Sequence, residues 1–198
     1  PKSVVSESIK TLRTNLQFSS VDEDIKTILI TSSIPGEGKS FISANLAISF
    51  AQTDKRVLIV DCDMRKGRQH RIFKLSNSKG LSVDGVHVIT RGTVPPNPSE
   101  LLNSKKNADL LRVLKAKYDV IIYDGVPCNG LPDSIIMSKL VDKVLIVSSD
   151  SMTPKSVLES TKKQLESVNA PIAGDVLNNV NRKNSTYGKY YGYYGDSQ

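Results

Sequence analysis

The stretch Ser33-Ile34-Pro35-Gly36-Glu37-Gly38-Lys39-Ser40 follows an apolar run, Ile28-Leu29-Ile30, and precedes a helix-period segment, Phe41 to Gln52. Strand, glycine-rich turn and helix form the context that a phosphate-binding loop requires. Gly36 and Gly38 let the backbone turn with its N–H groups inward, Lys39 can reach terminal phosphates, and Ser40 can place its hydroxyl on Mg²⁺. The pattern GxxxxGK[ST] opens with glycine where this chain has Ser33, so the Gly-Lys-Ser core carries the match. A bare Gly/Pro turn that happens to hold a lysine is the competing reading, and two acidic strand ends weigh against it. The nucleotide-binding candidates are Pro35, Gly36, Glu37, Gly38, Lys39, Ser40 and Phe41.

The same alternation runs outward along the chain. Apolar runs rich in Val and Ile recur at Thr27 to Thr31, Arg56 to Val60, Val86 to Ile89, Val120 to Tyr123, Val144 to Ser148 and Ile172 to Leu177, and read as buried strands. Helix-period segments lie among them at Asn107 to Lys117, Asp133 to Leu140 and Pro154 to Val168. This order predicts an α/β fold, a doubly wound and mainly parallel sheet flanked by helices and joined by right-handed crossovers. An amphipathic segment, Ser3 to Phe18, precedes the first strand with Val5, Ile9, Leu12 and Leu16 at helical spacing, so one face is expected to pack. The run TVPPNPSELL, Thr93 to Leu102, reads as a rigid connector with a helix start near Ser99.

Composition narrows the class without choosing a function. With 198 residues, 38% apolar and 24% charged, the chain suits one domain, expected over residues 1–180, followed by a flexible tail over 181–198 rich in Asn, Gly, Ser and Tyr. No apolar run approaches the roughly 20 residues that span a bilayer, and nothing resembles a signal peptide, so a soluble chain is expected. Cys62 and Cys128 lack metal-ligand spacing and read as free thiols, and His70 and His87 have no ligand-like companions. The net charge of +7 favours anionic partners such as nucleotide, nucleic acid or acidic lipid, or is simply a solvated surface.

In doubly wound sheets the ligand sits beyond the carboxyl ends of the strands. Two acidic ends join the phosphate loop there: VLIVDCDMR puts Asp61, Asp63 and Arg65 after the Val57 to Val60 strand, and VIIYDGVP ends its strand at Asp124. Hard oxygen ligands suit Mg²⁺, which uses few carboxylates together with phosphate oxygens. For Asp124 the alternative is a strand-terminating Asp-Gly turn. Asp61 and Asp63, with one residue between them on extended backbone, face opposite ways and so take different roles. Asp175 falls inside an apolar strand pattern, and its plainest reading is an exposed strand edge. Asn178 and Asn179 are loose candidates for adenine contact.

The loop TSSIPGEGKS, the segment VDCDMRK, the connector PPNPSELL and the strand YDVIIYDGVP together resemble the bacterial tyrosine kinases of capsule and exopolysaccharide synthesis, over nearly the whole chain. The resemblance implies a P-loop core with Walker A, A′ and B motifs, unrelated to eukaryotic protein kinases, using ATP and Mg²⁺. It makes Lys39, Asp61, Asp63 and Asp124 the catalytic set, and Ser40, Asp63 and Asp124 the metal set. Asp61 would approach the acceptor hydroxyl. A carboxylate of pKa about 4 is a weak base for a phenol of pKa about 10, so it orients the hydroxyl and takes its proton late.

Five of seven tyrosines, Tyr187, Tyr190, Tyr191, Tyr193 and Tyr194, fall in the last twelve residues. The resemblance makes them phosphorylation sites used in trans within a ring-like homo-oligomer that phosphorylation disperses. The family's interface motif ExxRxxR appears as Glu7, Lys10 and Arg13, where lysine keeps the charge but loses the bidentate fork. Two further departures are the direct passage from Gly80-Leu81-Ser82 into Val83-Asp84-Gly85-Val86, and Gly125-Val126-Pro127 after the Walker B aspartate. A transmembrane activator that recruits a cytoplasmic chain to the inner face of the membrane is implied, as is a cognate tyrosine phosphatase. Nucleic acid is not expected as a partner. Two other readings stay open: a ParA or MinD-like ATPase switch on DNA or membrane, whose usual second loop lysine is missing here, and an assembly module with a basic polymer-binding surface.

Overall fold

The computed structural model describes residues 3–20, 24–76, 81–83 and 85–180. In chain order the elements are α1 (Val4–Phe18), β1 (Thr27–Ser32), α2 (Lys39–Ala51), β2 (Val57–Asp61), α3 (Gln69–Ile72), β3 (Leu81–Val83) and β4 (Val86–Ile89). They continue with α4 (Pro98–Leu102), α5 (Lys105–Lys117), β5 (Val120–Pro127), α6 (Asp133–Ser138), β6 (Lys143–Ser149), α7 (Lys155–Ser167) and β7 (Ile172–Asn178). One sheet holds the strands in the order β3-β4-β2-β5-β1-β6-β7. Six strands run parallel, and β3 pairs antiparallel with β4 at the edge, a strand the sequence pattern did not announce.

β5 is the middle strand with β1 beside it, and every residue of both is buried, as strands covered on both faces require. Successive side chains on each strand point to opposite faces, and this divides the core in two. Ile28, Ile30, Ile59 and Ile122 meet Ile42, Leu46 and Phe50 of α2 and Ile9 and Leu16 of α1 on one side. Leu29, Leu58, Ile121 and Ile146 meet Leu111 of α5, Met137 of α6 and Leu165 of α7 on the other. Each fully buried Leu or Ile contributes about 1.5–3 kcal/mol relative to exposure, so the two layers fix the register of the strands they cover.

On α1 the expected apolar stripe holds at Ile9 and Leu16, with Leu12 partly buried, but Val5 stays exposed near the helix start. Ser3 caps that start, its hydroxyl accepting from the Ser6 N–H at 3.2 Å. β5 runs on through Pro127, so Asp124 sits within the strand and its Asp-Gly pair is no turn. The physical reason is pairing on both sides: Asp124 stands opposite Ile30 of β1 and opposite Asp61 of β2. Asp175 is exposed on the edge strand β7, where Oδ2 accepts from the Ser148 hydroxyl at 2.8 Å.

Candidate nucleotide and phosphoryl-transfer site

The loop between β1 and α2 turns on Gly36 at φ 91° and Gly38 at φ 100°. At Gly38 a side chain would be strained by that φ and would also collide with the Asn178 amide, so only glycine fits. Glu37 is fully buried and braces the loop from within. Its Oε2 accepts from the Ile34 N–H at 2.7 Å, its Oε1 accepts from the Thr153 hydroxyl, and its carbonyl accepts from Asn178 Nδ2 at 2.9 Å. The Glu37 side chain is therefore engaged in shaping the loop, and its backbone is the part left to face a phosphate. Asn179 Nδ2 donates to Ser149 Oγ at 3.1 Å, so both asparagine amides are engaged in holding the loop's surroundings.

Lys39 and Ser40 open α2, where unpaired N–H groups and the helix dipole favour an anion. Lys39 is only 8% exposed. Burial lowers its pKa, while Asp124, Asp63 and Glu37 oppose that by favouring the cation. Phe41 is exposed on the same turn.

β2 and β5 deliver Asp61 and Asp124 side by side in register. Asp124 is fully buried and accepts from Gln69 Nε2 at 2.8 Å and Ser43 Oγ at 3.2 Å. Burial raises its pKa, and the bonds from Gln69, Ser40 and Ser43 together with the Lys39 charge pull it back. Asp61 accepts from the Gln69 N–H at 3.0 Å through Oδ2, while its buried Oδ1 has no partner among the described residues. Burial first, then the Asp124 and Asp63 charges, push Asp61 up to about 7. Gly67 lies so close that a side chain there would overlap the Asp61 carboxyl. Asp63 differs in setting: it is half-buried, and its Oδ1 accepts from the backbone N–H groups of Arg65 at 3.2 Å and Lys66 at 2.7 Å.

These oxygens fit Mg²⁺. The orphaned Asp61 Oδ1 and the raised pKa values of Asp61 and Asp124 mark a cluster lacking positive charge, at the foot of a phosphate loop. Among the described residues no three acidic or soft side chains already form a cage, which suits an ion that takes most of its ligands from water and phosphate.

Several participants had escaped the pattern of residues. Gln69 ties Asp61, Asp124 and, at 3.1 Å, the Ser40 carbonyl into one unit. Asp133, 1% exposed, accepts from Arg65 Nη1 and from the Ser99 hydroxyl, which fastens the Asp63 loop to the starts of α4 and α6. Only Ser43 had a legible signal, one helical turn beyond Lys39. Glu7 and Lys10 pair with each other at 2.8 Å on the exposed face of α1, and Arg13 donates to the Ser49 carbonyl of α2. Tyr187, Tyr190, Tyr191, Tyr193 and Tyr194 lie outside the described residues. A cavity of about 620 Å³ between α1 and the sheet, lined by Leu16, Ile25, Ile28 and Phe50, is at the amino ends of the strands and takes no part in this chemistry.

A mainly parallel sheet with a phosphate loop after an interior strand and acidic residues on the next two strands defines a P-loop nucleotide-binding domain. Residues 28–190 match the family model of the CobQ/CobB/MinD/ParA nucleotide-binding domain. The chain is 38% identical over 212 residues to the tyrosine-protein kinase YwqD of Bacillus subtilis, covering 98% of this chain and 88% of that protein. The solved kinase domain of Escherichia coli tyrosine kinase ETK superposes with TM-score 0.88 at 32% identity, over 94% of this chain and 80% of that one. The chimerical protein CapA2B2 gives TM-score 0.87 at 37% identity, over 91% and 87%. This chain belongs to the bacterial tyrosine-protein kinases. Among the described residues, no helix is long and apolar enough to cross a membrane.

Proposed function

We propose that the chain transfers the γ-phosphoryl group of ATP to tyrosines of its own C-terminal cluster, in trans between copies in a ring, and so regulates capsular or exopolysaccharide synthesis. One observation carries this reading: a buried, partly unpartnered carboxylate, Asp61, stands in register with Asp124 beside the phosphate loop of a chain that ends in five clustered tyrosines.

Lys39 and the α2 N-terminus hold the triphosphate, with Pro35 to Phe41 wrapping it. Ser40, Asp63 and Asp124 would hold Mg²⁺, which neutralises charge on the β- and γ-phosphates. Asp61 orients the tyrosine hydroxyl toward the γ-phosphorus. The phenol oxygen forms its bond to phosphorus as the bond to the bridging oxygen of ADP breaks, and the phenol proton passes late to Asp61. Positioning and charge neutralisation supply most of the rate, as in other phosphoryl transfers.

A transmembrane activator is expected to bring the chain to the inner face of the membrane, and a tyrosine phosphatase to reset the tail. The fit to CapA2B2, a chimera, supports a two-part system. The ring contact would use Glu7, Lys10 and Arg13. The test is incubation of the purified chain with Mg-ATP and the activator's cytoplasmic segment. Mass spectrometry should find phosphate on Tyr187 to Tyr194 in the parent and none in Lys39→Met. An unmodified tail in both proteins would reject the reading.

A further inference from the structure

The net charge of the chain is concentrated in one place. Residues 64–92 hold seven Lys or Arg and one Asp, a net +6 within a total of +7. The described part of this stretch follows β2, carries Gln69 against the Ser40 carbonyl and Asp124, and includes β4, which lies on the side of β2 away from β1. Lys66 and Arg68 are exposed on the loop that bonds Asp63, and Arg71 and Lys74 are exposed on α3 and just after it. None of these four forms an ion pair among the described residues. Arg91 leans on the same loop, donating to the Met64 carbonyl at 3.3 Å, and its buried Nε has no partner among the described residues. Burial first, then the charges of Arg71 and Arg91, lower the pKa of His70.

We propose that this basic ridge reads phosphotyrosine: it holds an acceptor tail that already carries phosphate, keeping the remaining tyrosines beside Asp61 for further transfer. The proposal rests on the tail-phosphorylation reading above. Residues 181–198 contain three Lys or Arg and one Asp, so the unmodified tail is cationic and the ridge repels it. Each phosphotyrosine adds roughly −1.5 to −2 charges, so one cancels the tail's charge and two reverse it. Arginine forks then take phosphate oxygens bidentately. The cluster tyrosines stand one to three residues apart, so holding one keeps another within about 10 Å of the same point. Acidic lipid or nucleic acid would also be drawn to this charge. The tail is favoured because the ridge is the very loop that carries Asp63 and leads to Gln69.

The experiment titrates the full chain in Mg-ADP, where no transfer occurs, with fluorescent peptides of residues 181–198. The peptides carry no phosphate, phosphate on Tyr190, or phosphate on Tyr190 and Tyr193. The doubly modified peptide should bind at least tenfold tighter than the unmodified one, and the gap should shrink as salt rises. Arg68→Glu with Arg71→Glu should reduce the gap below twofold at unchanged ADP affinity, and Lys66→Glu with Lys74→Glu should reduce it independently. Equal binding of all three peptides, or a preference that survives both charge reversals, overturns the proposal. So does charge reversal that abolishes binding to phosphatidylserine vesicles or duplex DNA while the parent shows no phosphopeptide preference. The titration uses synthetic phosphopeptides, so it succeeds or fails separately from the kinase reading, which fails if Mg-ATP leaves the tail unmodified.

Discussion

Gln69 joins the two strand-borne carboxylates, its backbone N–H 3.0 Å from Asp61 Oδ2 and its side-chain Nε2 2.8 Å from Asp124 Oδ2. The same nitrogen reaches the Ser40 carbonyl, so one fully buried amide holds β2, β5 and the start of α2 together. Gln69→Leu keeps the bulk but leaves Asp124 short of a donor, a loss of about 1–3 kcal/mol. Urea unfolding should show that loss, and tail phosphorylation should fall tenfold or more. An unchanged midpoint with full activity would count against the bridge.

Asp61 makes the metal-free protein sensitive to pH. Its folded pKa, about 7, lies above the ordinary carboxylate value of 3.8, so the folded state favours its protonated form. The associated stability is complete below about pH 4 and is lost as pH rises through 7, a change on the order of 4 kcal/mol. In EDTA the melting temperature of the parent should fall relative to that of Asp61→Asn between pH 5 and pH 8. Mg-ADP should narrow the difference, because a dication beside the carboxylates favours their ionised form. Parallel pH curves for the two proteins in EDTA would contradict this account.

Glu37→Ala removes the internal brace of the phosphate loop, freeing the Ile34 N–H and the Thr153 hydroxyl. ADP affinity measured by calorimetry should drop about tenfold, near 1.4 kcal/mol. Thr153→Val cuts one of the two bonds and should give a smaller loss.

Arg65→Ala strands Asp133, whose side chain is 2% exposed, without its cation. The expected destabilisation is about 3 kcal/mol, and Arg65→Met with Asp133→Leu should recover much of it, because a buried charge costs more alone than an apolar pair. Thermal unfolding of the three variants decides between this and a merely local role.

On α1, Lys10→Glu places a second acid beside Glu7 on the exposed face and should shift sedimentation toward smaller species if this face joins copies of the chain. Arg13→Ala removes the tie to Ser49 and should lower stability by about 1 kcal/mol as well. Unaltered sedimentation of Lys10→Glu would move the interface elsewhere.

Much of this was legible because parallel strands buried on both faces read as unbroken Val/Ile runs, and because the phosphate loop needs glycine and lysine at fixed spacing. β1, β2, β5 and the loop at Gly36 to Ser40 could hardly be read otherwise. β3 was missed because a three-residue antiparallel edge carries too little pattern, and α3 because four residues are too short for helical periodicity; α4 begins where the helix start near Ser99 was expected, its proline run supplying the signal. The extent of β5 was missed because Asp-Gly signals a turn locally, while pairing on both sides overrides it. Gln69 and Asp133 were invisible for a different reason. Their roles come from contacts across 29 to 68 residues of sequence, which no local spacing encodes.

Asn178, at the end of β7, is bonded to the phosphate loop, and the tyrosine-bearing segment begins only a few residues later. On the proposed reading, the segment that would carry the acceptors thus starts from the donor site of its own subunit. A fully extended chain covers about 3.5 Å per residue, so chain length alone sets an upper bound of roughly 28 Å between Asn179 and Tyr187 and roughly 52 Å between Asn179 and Tyr194. For transfer in trans as proposed, a neighbour whose Asp61 lies outside that radius would be out of reach, and the outermost tyrosines would have the widest choice of partner.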